Sequence, residues 1–119
     1  MVLSLLTASN AFAYDREVDG IYYNLDMDNY TASVTSGDNK YTGDVVIPSK
    51  FTYKDKAEFD VVEIEKQAFM SCAELTSVSI GEGVTAIGSD AFYGCKKLVS
   101  VSIPSTVKTI GSSAFYGCI

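Results

Sequence analysis

Histidine and tryptophan are both missing from these 119 residues, and proline occurs only twice. Without histidine the chain lacks the side chain that most often serves as a general base near neutral pH and most often ligates a metal. Its many serines have no histidine to activate them, so a nucleophilic site has no support. Positive charge is also scarce. Nine Lys and Arg stand against fifteen Asp and Glu, a net charge of −6, and no basic run is longer than Lys96-Lys97. Nucleic acid demands a clustered positive footprint, which excludes it as a partner class. The same balance argues against an anionic membrane surface. No apolar run approaches the ~20 residues of a membrane span.

The fragments of motif that do occur are weak. Gly81-Glu82-Gly83 has neither the lysine nor the spacing of a phosphate loop and reads as a turn. Asp26-x-Asp28-Asn29 begins like a calcium loop but lacks the following glycine and the distal glutamate, so it reads as an acidic hairpin turn. Asn29-Tyr30-Thr31 matches a glycosylation sequon, meaningful only in a eukaryotic secretory pathway. Glu63 and Glu65 lie two apart beside Lys66 and read as a solvated face rather than a catalytic pair. The expectation is a protein without catalysis, cofactor or metal.

What is present is a repeat. Residues 73–95, AELTSVSIGEGVTAIGSDAFYGC, and residues 96–118, KKLVSVSIPSTVKTIGSSAFYGC, align without a gap. They are identical at Leu75/Leu98, Ser77/Ser100, Val78/Val101, Ser79/Ser102, Ile80/Ile103, Val84/Val107, Ile87/Ile110, Gly88/Gly111, Ser89/Ser112 and at Ala91 to Cys95 against Ala114 to Cys118. A fixed period in this range marks a solenoid, in which each repeat buries its apolar face against its neighbours. Leu75, Val78 and Ile80, with Leu98, Val101 and Ile103, supply one inward set in strand alternation. Val84, Ile87, Val107 and Ile110 supply the return side. Gly81, Gly83 and Pro104 mark the bend between them. Ser89 and Ser112 are placed to cap one short helical turn each, carrying Phe92 and Phe115 inward.

Ahead of the regular repeats, residues 43–72 form a degenerate copy. Asp44-Val45-Val46-Ile47-Pro48 echoes Ser100-Val101-Ser102-Ile103-Pro104, and Gln67 to Cys72 echoes the second half. Phe51 to Asp60 is inserted between, with Lys54-Asp55-Lys56 as the turn of a second hairpin projecting from the stack. Residues 14–42 read as an N-terminal β-hairpin cap, Ile21 to Leu25 pairing with Tyr30 to Val34 across a polar turn. Residues 1–13, apolar and closing on Ala11-Phe12-Ala13, read as a signal-peptide remnant without its basic start, or as an apolar tail. The final residue, Ile119, begins a repeat that is not completed, which predicts a fragment of a longer array.

Cys72, Cys95 and Cys118 recur at the repeat period and so form a column rather than a converging metal site. Free thiols acting as small apolar residues are the plain reading, with a Cys95–Cys118 bridge as the alternative.

The pattern Leu-x-x-Val-x-Ile, then Val-x-x-Ile-Gly-x-x-Ala-Phe-x-Gly-Cys, resembles the BspA-type class of leucine-rich repeats over Val61 to Cys118 and, less fully, from Asp44. The start Val18-Asp-Gly-Ile-Tyr-Tyr-Asn24 is similar to the leader of secreted bacterial members. The resemblance implies a mainly β leucine-rich-repeat solenoid on a secreted or cell-surface protein, some members being linked to adhesion to host matrix or other cells. It carries over no catalytic residues.

With Leu75, Val78 and Ile80 inward, one face presents Thr76, Ser77, Ser79 and Glu82, then Val99, Ser100, Ser102 and Ser105, with Asp44 and Val46 from the degenerate repeat. This low-charge β-face is the candidate binding surface for a protein or glycan partner, including host extracellular matrix or a cell surface. The alternative is a structural spacer or stalk that displays other domains of a longer surface protein.

Overall fold

A computed structural model describes residues 14–54 and 57–118. Residues 1–13, Asp55, Lys56 and Ile119 lie outside this set, and with them the signal-remnant reading and the tip of the inserted turn. The chain runs β1 (Arg16–Val18), β2 (Ile21–Asp26), β3 (Thr31–Thr35), β4 (Gly43–Ile47), β5 (Lys50–Tyr53), β6 (Ala57–Ile64), β7 (Leu75–Ile80), β8 (Ala86–Ile87), β9 (Ser100–Ser102) and β10 (Thr109–Ile110).

Two sheets result. The smaller has the order β4-β7-β9, all parallel, with Asp44 beside Ser77 beside Ser100 and Val46 beside Ser79 beside Ser102. In the larger sheet, β6-β8-β10 is the parallel return side, aligning Glu63 with Ala86 and Thr109, and Ile64 with Ile87 and Ile110. Equal repeat length is the cause from β7 to β9 and from β6 through β8 to β10, where like residues stand one repeat apart on neighbouring strands, whereas the inserted hairpin lengthens the step from β4 to β7. Val78, Ile80, Val84 and Ile87 are buried between the two sheets, as the apolar alternation demands.

The corner carrying Phe69, Phe92 and Phe115 is not helical, and the described residues contain no helix. This corrects the expectation of serine-capped helical turns. Asp90 (φ 57°) and Gly94 (φ 75°) adopt left-handed conformations, as do their counterparts Gln67 and Ser71, and Ser113 and Gly117. A right-handed helix cannot pass through them. The backbone instead divides its donors. Phe92 N–H donates to the Ala114 carbonyl (2.7 Å) and Gly94 N–H to that of Tyr116 (2.8 Å), whereas Ala91, Tyr93 and Cys95 close turns within their own repeat at 3.2 Å. The same alternation joins Phe69 to Ala91 and Ser71 to Tyr93 (2.7 Å each). Satisfying the neighbour's carbonyls leaves no set of donors for a helix.

Close approach between repeats needs bare backbone at one point. A Cβ on Gly88 would lie 2.4 Å from the Lys66 nitrogen, and one on Gly111 2.4 Å from that of Ser89. In the degenerate repeat the corresponding position is Glu65, whose side chain turns to the N-terminal strands. Its carboxylate accepts from Asn24 Nδ2 (3.0 and 3.2 Å) and from the Ser33 hydroxyl. Glu65 is therefore half-buried and bonded, unlike the solvated reading given to it above.

The N-terminal segment is a three-stranded antiparallel meander whose last strand, β3, pairs parallel with β6. It thus continues the larger sheet. The inserted hairpin pairs Phe51 with Phe59 across β5 and β6, and both rings are buried. Its apolar side packs into the core against Tyr23 (centroids 4.4 Å) rather than projecting away.

One aromatic column runs from the N-terminal strands into the regular repeats. Tyr14 meets Tyr22 (4.7 Å), Tyr22 meets Tyr41 (5.7 Å), and Tyr41 meets Phe69 (4.3 Å). Phe69 then stacks on Phe92 (4.8 Å, 16°) and Phe92 on Phe115 (5.2 Å, 4°). Tyr41 is fixed at the junction, its hydroxyl donating to the Thr35 carbonyl (2.6 Å) and accepting from Tyr22 N–H (3.0 Å).

Candidate interaction face

The smaller sheet turns one side to the core and the other to solvent. Eight of the ten candidate residues lie on or beside its strands: Asp44 and Val46 on β4, Thr76, Ser77 and Ser79 on β7, Ser100 and Ser102 on β9, and Val99 just before β9. Glu82 and Ser105 are exposed as well, but they sit in the turns that leave the sheet and so form its border.

Strict alternation would put Thr76 and Ser77 on opposite faces. A register shift resolves this, since Gly43 pairs with Leu75 and Asp44 with Ser77, leaving Thr76 as an extra residue. Both hydroxyls consequently donate to Asp44 Oδ1, from Thr76 at 2.8 Å and Ser77 at 2.7 Å. These bonds, Ser77's first, hold the Asp44 carboxyl below its ordinary range. The sequence names these three residues without giving any sign that they join, because a bulge depends on the partner strand.

Two valines interrupt this polar surface. Val46 is 68% exposed and Val99 82%, far from the treatment given to Val45, Val78 or Val101, which face the core. The outward side of this sheet is thus an in-register row of small hydroxyls and one carboxylate, with two uncovered apolar side chains set among them.

The thiol column faces inward on the other side of the repeats. Cys72, Cys95 and Cys118 are free, Cys95 Sγ–H donating to the Phe69 carbonyl (3.0 Å) and Cys118 to that of Phe92 (3.1 Å). Burial raises all three pKa values, Cys95 to about 12, so thiolate chemistry is suppressed. Among the described residues no group of three or more His, Cys, Asp or Glu side chains is arranged to hold a metal. No helix among them is long and apolar enough to cross a membrane.

Comparison with known proteins agrees with this geometry. Residues 62–119 match the family described as BspA type leucine-rich repeat region (6 copies). None of the curated proteins matches the chain significantly. Among solved structures, a leucine-rich repeat protein from Bacteroides ovatus is 38% identical with a TM-score of 0.80, the match covering 88% of this chain and 27% of that one. A leucine rich cell surface protein from Faecalibacterium prausnitzii is 32% identical (TM-score 0.73; 92% and 29% covered). The leucine-rich repeat protein of T. pallidum is 31% identical (TM-score 0.72; 87% and 46% covered). This chain spans under half the length of each of the three. The fold is thus shared with leucine-rich repeat proteins, and the repeat region of this chain, residues 62–119, belongs to the BspA-type leucine-rich repeat family.

Proposed function

We propose that this protein is a non-catalytic interaction module of the secreted or cell-surface class, binding a protein or glycan partner through the outward side of β4, β7 and β9. Its parallel ladders are read as the start of a solenoid whose repeats keep that side in register. The observation that carries the proposal is the pair of uncovered valines, Val46 and Val99, set in an ordered row of hydroxyls with Asp44 at one end. The Faecalibacterium relative's designation as a cell surface protein supports the location. Adhesion to host matrix or to other cells is the function that such a face and location suit best.

The test replaces Ser79 and Ser102 together with Glu and measures capture of immobilised matrix proteins and of glycan arrays. Binding should fall at least tenfold while the circular dichroism spectrum and melting temperature stay within error. Parental binding by that variant removes the face from consideration. The uninterrupted aromatic column supports a second reading, a spacer that holds other domains apart. A spacer tolerates the same double substitution with no loss of any measured function.

A further inference from the structure

The smaller sheet also has an edge. β4 pairs with β7 on one side, and among the described residues no strand pairs with its other side. Gly43 N–H donates to the Glu74 carbonyl, so Gly43, Val45 and Ile47 direct their backbone groups to β7. Alternation then points the N–H and C=O of Asp44 and Val46 outward from the sheet. A stretch of unpaired donors and acceptors of this kind is a template for another strand.

Between the edge and the N-terminal strands lie two cavities, one on each face of the β1–β2 hairpin. One, about 260 Å³, lies among Glu17, Gly20, Tyr22, Lys40, Thr42 and Val45. The other, about 160 Å³, lies among Val18, Asp19, Ile21, Tyr23, Val46, Pro48 and Phe51. Both have the β1–β2 hairpin as one wall and β4 or its flanks as the other. The second is the more apolar, and Pro48 ends the strand beside it, which limits an added strand to about five residues. Charge around the groove is unbalanced. Glu17 and Asp19, which line it, are exposed carboxylates, and the ammonium of Lys40 is already donating to the Met70 carbonyl at 2.9 Å.

We propose that the groove along β4 takes an extended peptide segment of a partner protein, which adds as a strand to the β4 edge. The segment carries apolar side chains at alternate positions, one seated between Val46, Pro48 and Phe51, and Lys or Arg at its ends near Glu17 and Asp19. Main-chain bonds to Asp44 and Val46 supply the docking, and the carboxylates select the basic flanks. This is a different surface from the outward side of the sheet, although Asp44 and Val46 belong to both.

The test uses the full chain and a capped synthetic heptapeptide, Lys-Val-Thr-Val-Thr-Val-Lys, with an acidic counterpart in which Glu replaces both Lys. A third peptide carries N-methyl groups on alternate residues, so that it cannot donate to the edge. In a titration followed by amide NMR, the basic peptide should shift and protect the Asp44 and Val46 amides. The acidic and N-methylated peptides should bind at least tenfold more weakly. Val46→Pro, whose lost N–H is not used by the β4–β7 ladder, should also lose at least tenfold, whereas the Ser79→Glu, Ser102→Glu variant should bind the peptide like the parent. Equal binding by the N-methylated peptide, amide shifts confined to Ser79 and Ser102, or no shift at millimolar peptide each overturn the proposal. The peptide comparison on the parent chain decides the matter even if Val46→Pro fails to fold.

Discussion

Replacing Phe92 with Ala tests whether the aromatic column holds the repeats together. Phe92 is fully buried, with Phe69 stacked on one side and Phe115 on the other. Removing a buried ring costs about 3–5 kcal/mol in transfer and cavity terms. Each lost aromatic pair is worth ~0.5–1.5 kcal/mol beyond burial, which places the expected loss at or above the upper end of that range. Since whole domains are stable by only about 5–15 kcal/mol, the variant should be near unfolding at room temperature. Urea titration followed by tyrosine fluorescence and circular dichroism measures the loss. Phe115→Ala, at the half-exposed end of the column, should cost roughly half as much by the same cavity argument. Hydrogen exchange should locate the damage. The amides of Phe92 and Gly94, which bond to the next repeat, should lose protection more than that of Tyr22, which bonds to Tyr41. A Phe92→Ala loss below ~2 kcal/mol, or equal losses at Phe92 and Phe115, would refute the nearest-neighbour account.

Other substitutions probe other contacts. Gly88→Ala forces a Cβ against the Lys66 backbone and should cost about 2–4 kcal/mol by denaturant titration, whereas Gly20→Ala, with open space but φ 85°, should cost only about 1 kcal/mol. Glu65→Ala removes the acceptor of Asn24 and Ser33 and should cost about 2 kcal/mol, visible as faster exchange of the β3 amides. Alkali should destabilise the fold. Burial raises the Cys95 thiol from 9.0 to about 12, so the folded state keeps a proton that the unfolded chain releases. Stability from this group is whole below pH 9 and declines as pH rises toward 12, and a Cys95→Ala variant should show a shallower loss of melting temperature over that window. In the folded protein a thiol reagent should modify Cys118 before Cys72 and Cys95, which a mass-spectrometric time course would show.

The sequence by itself determined the repeat and most of its interior. The interval between identical residues sets which side chains share a column, and alternation sets which of them face inward, so Leu75, Val78, Ile80 and Phe92 are legible as core. Glycine at 88 and 111 is equally legible as a constraint, though the reason for it, a neighbouring backbone against the Cα, is visible only in space. Tertiary structure decided the rest. Local rules allow Ser89 to start a helix, but hydrogen bonds to the next repeat outcompete it and hold Asp90 and Gly94 left-handed. The joining of Thr76 and Ser77 to Asp44 depends on a register shift between strands over thirty residues apart in the chain. Glu65 looks like any exposed glutamate until Asn24 and Ser33 are brought beside it. Likewise the open edge of β4 follows from where the N-terminal meander docks: it adds to the larger sheet beside β6 and leaves the smaller one unpaired. Periodicity fixes what a repeat does to its neighbour. Where the series begins, and what its first strand leaves exposed, is set by long-range pairing that no local pattern encodes.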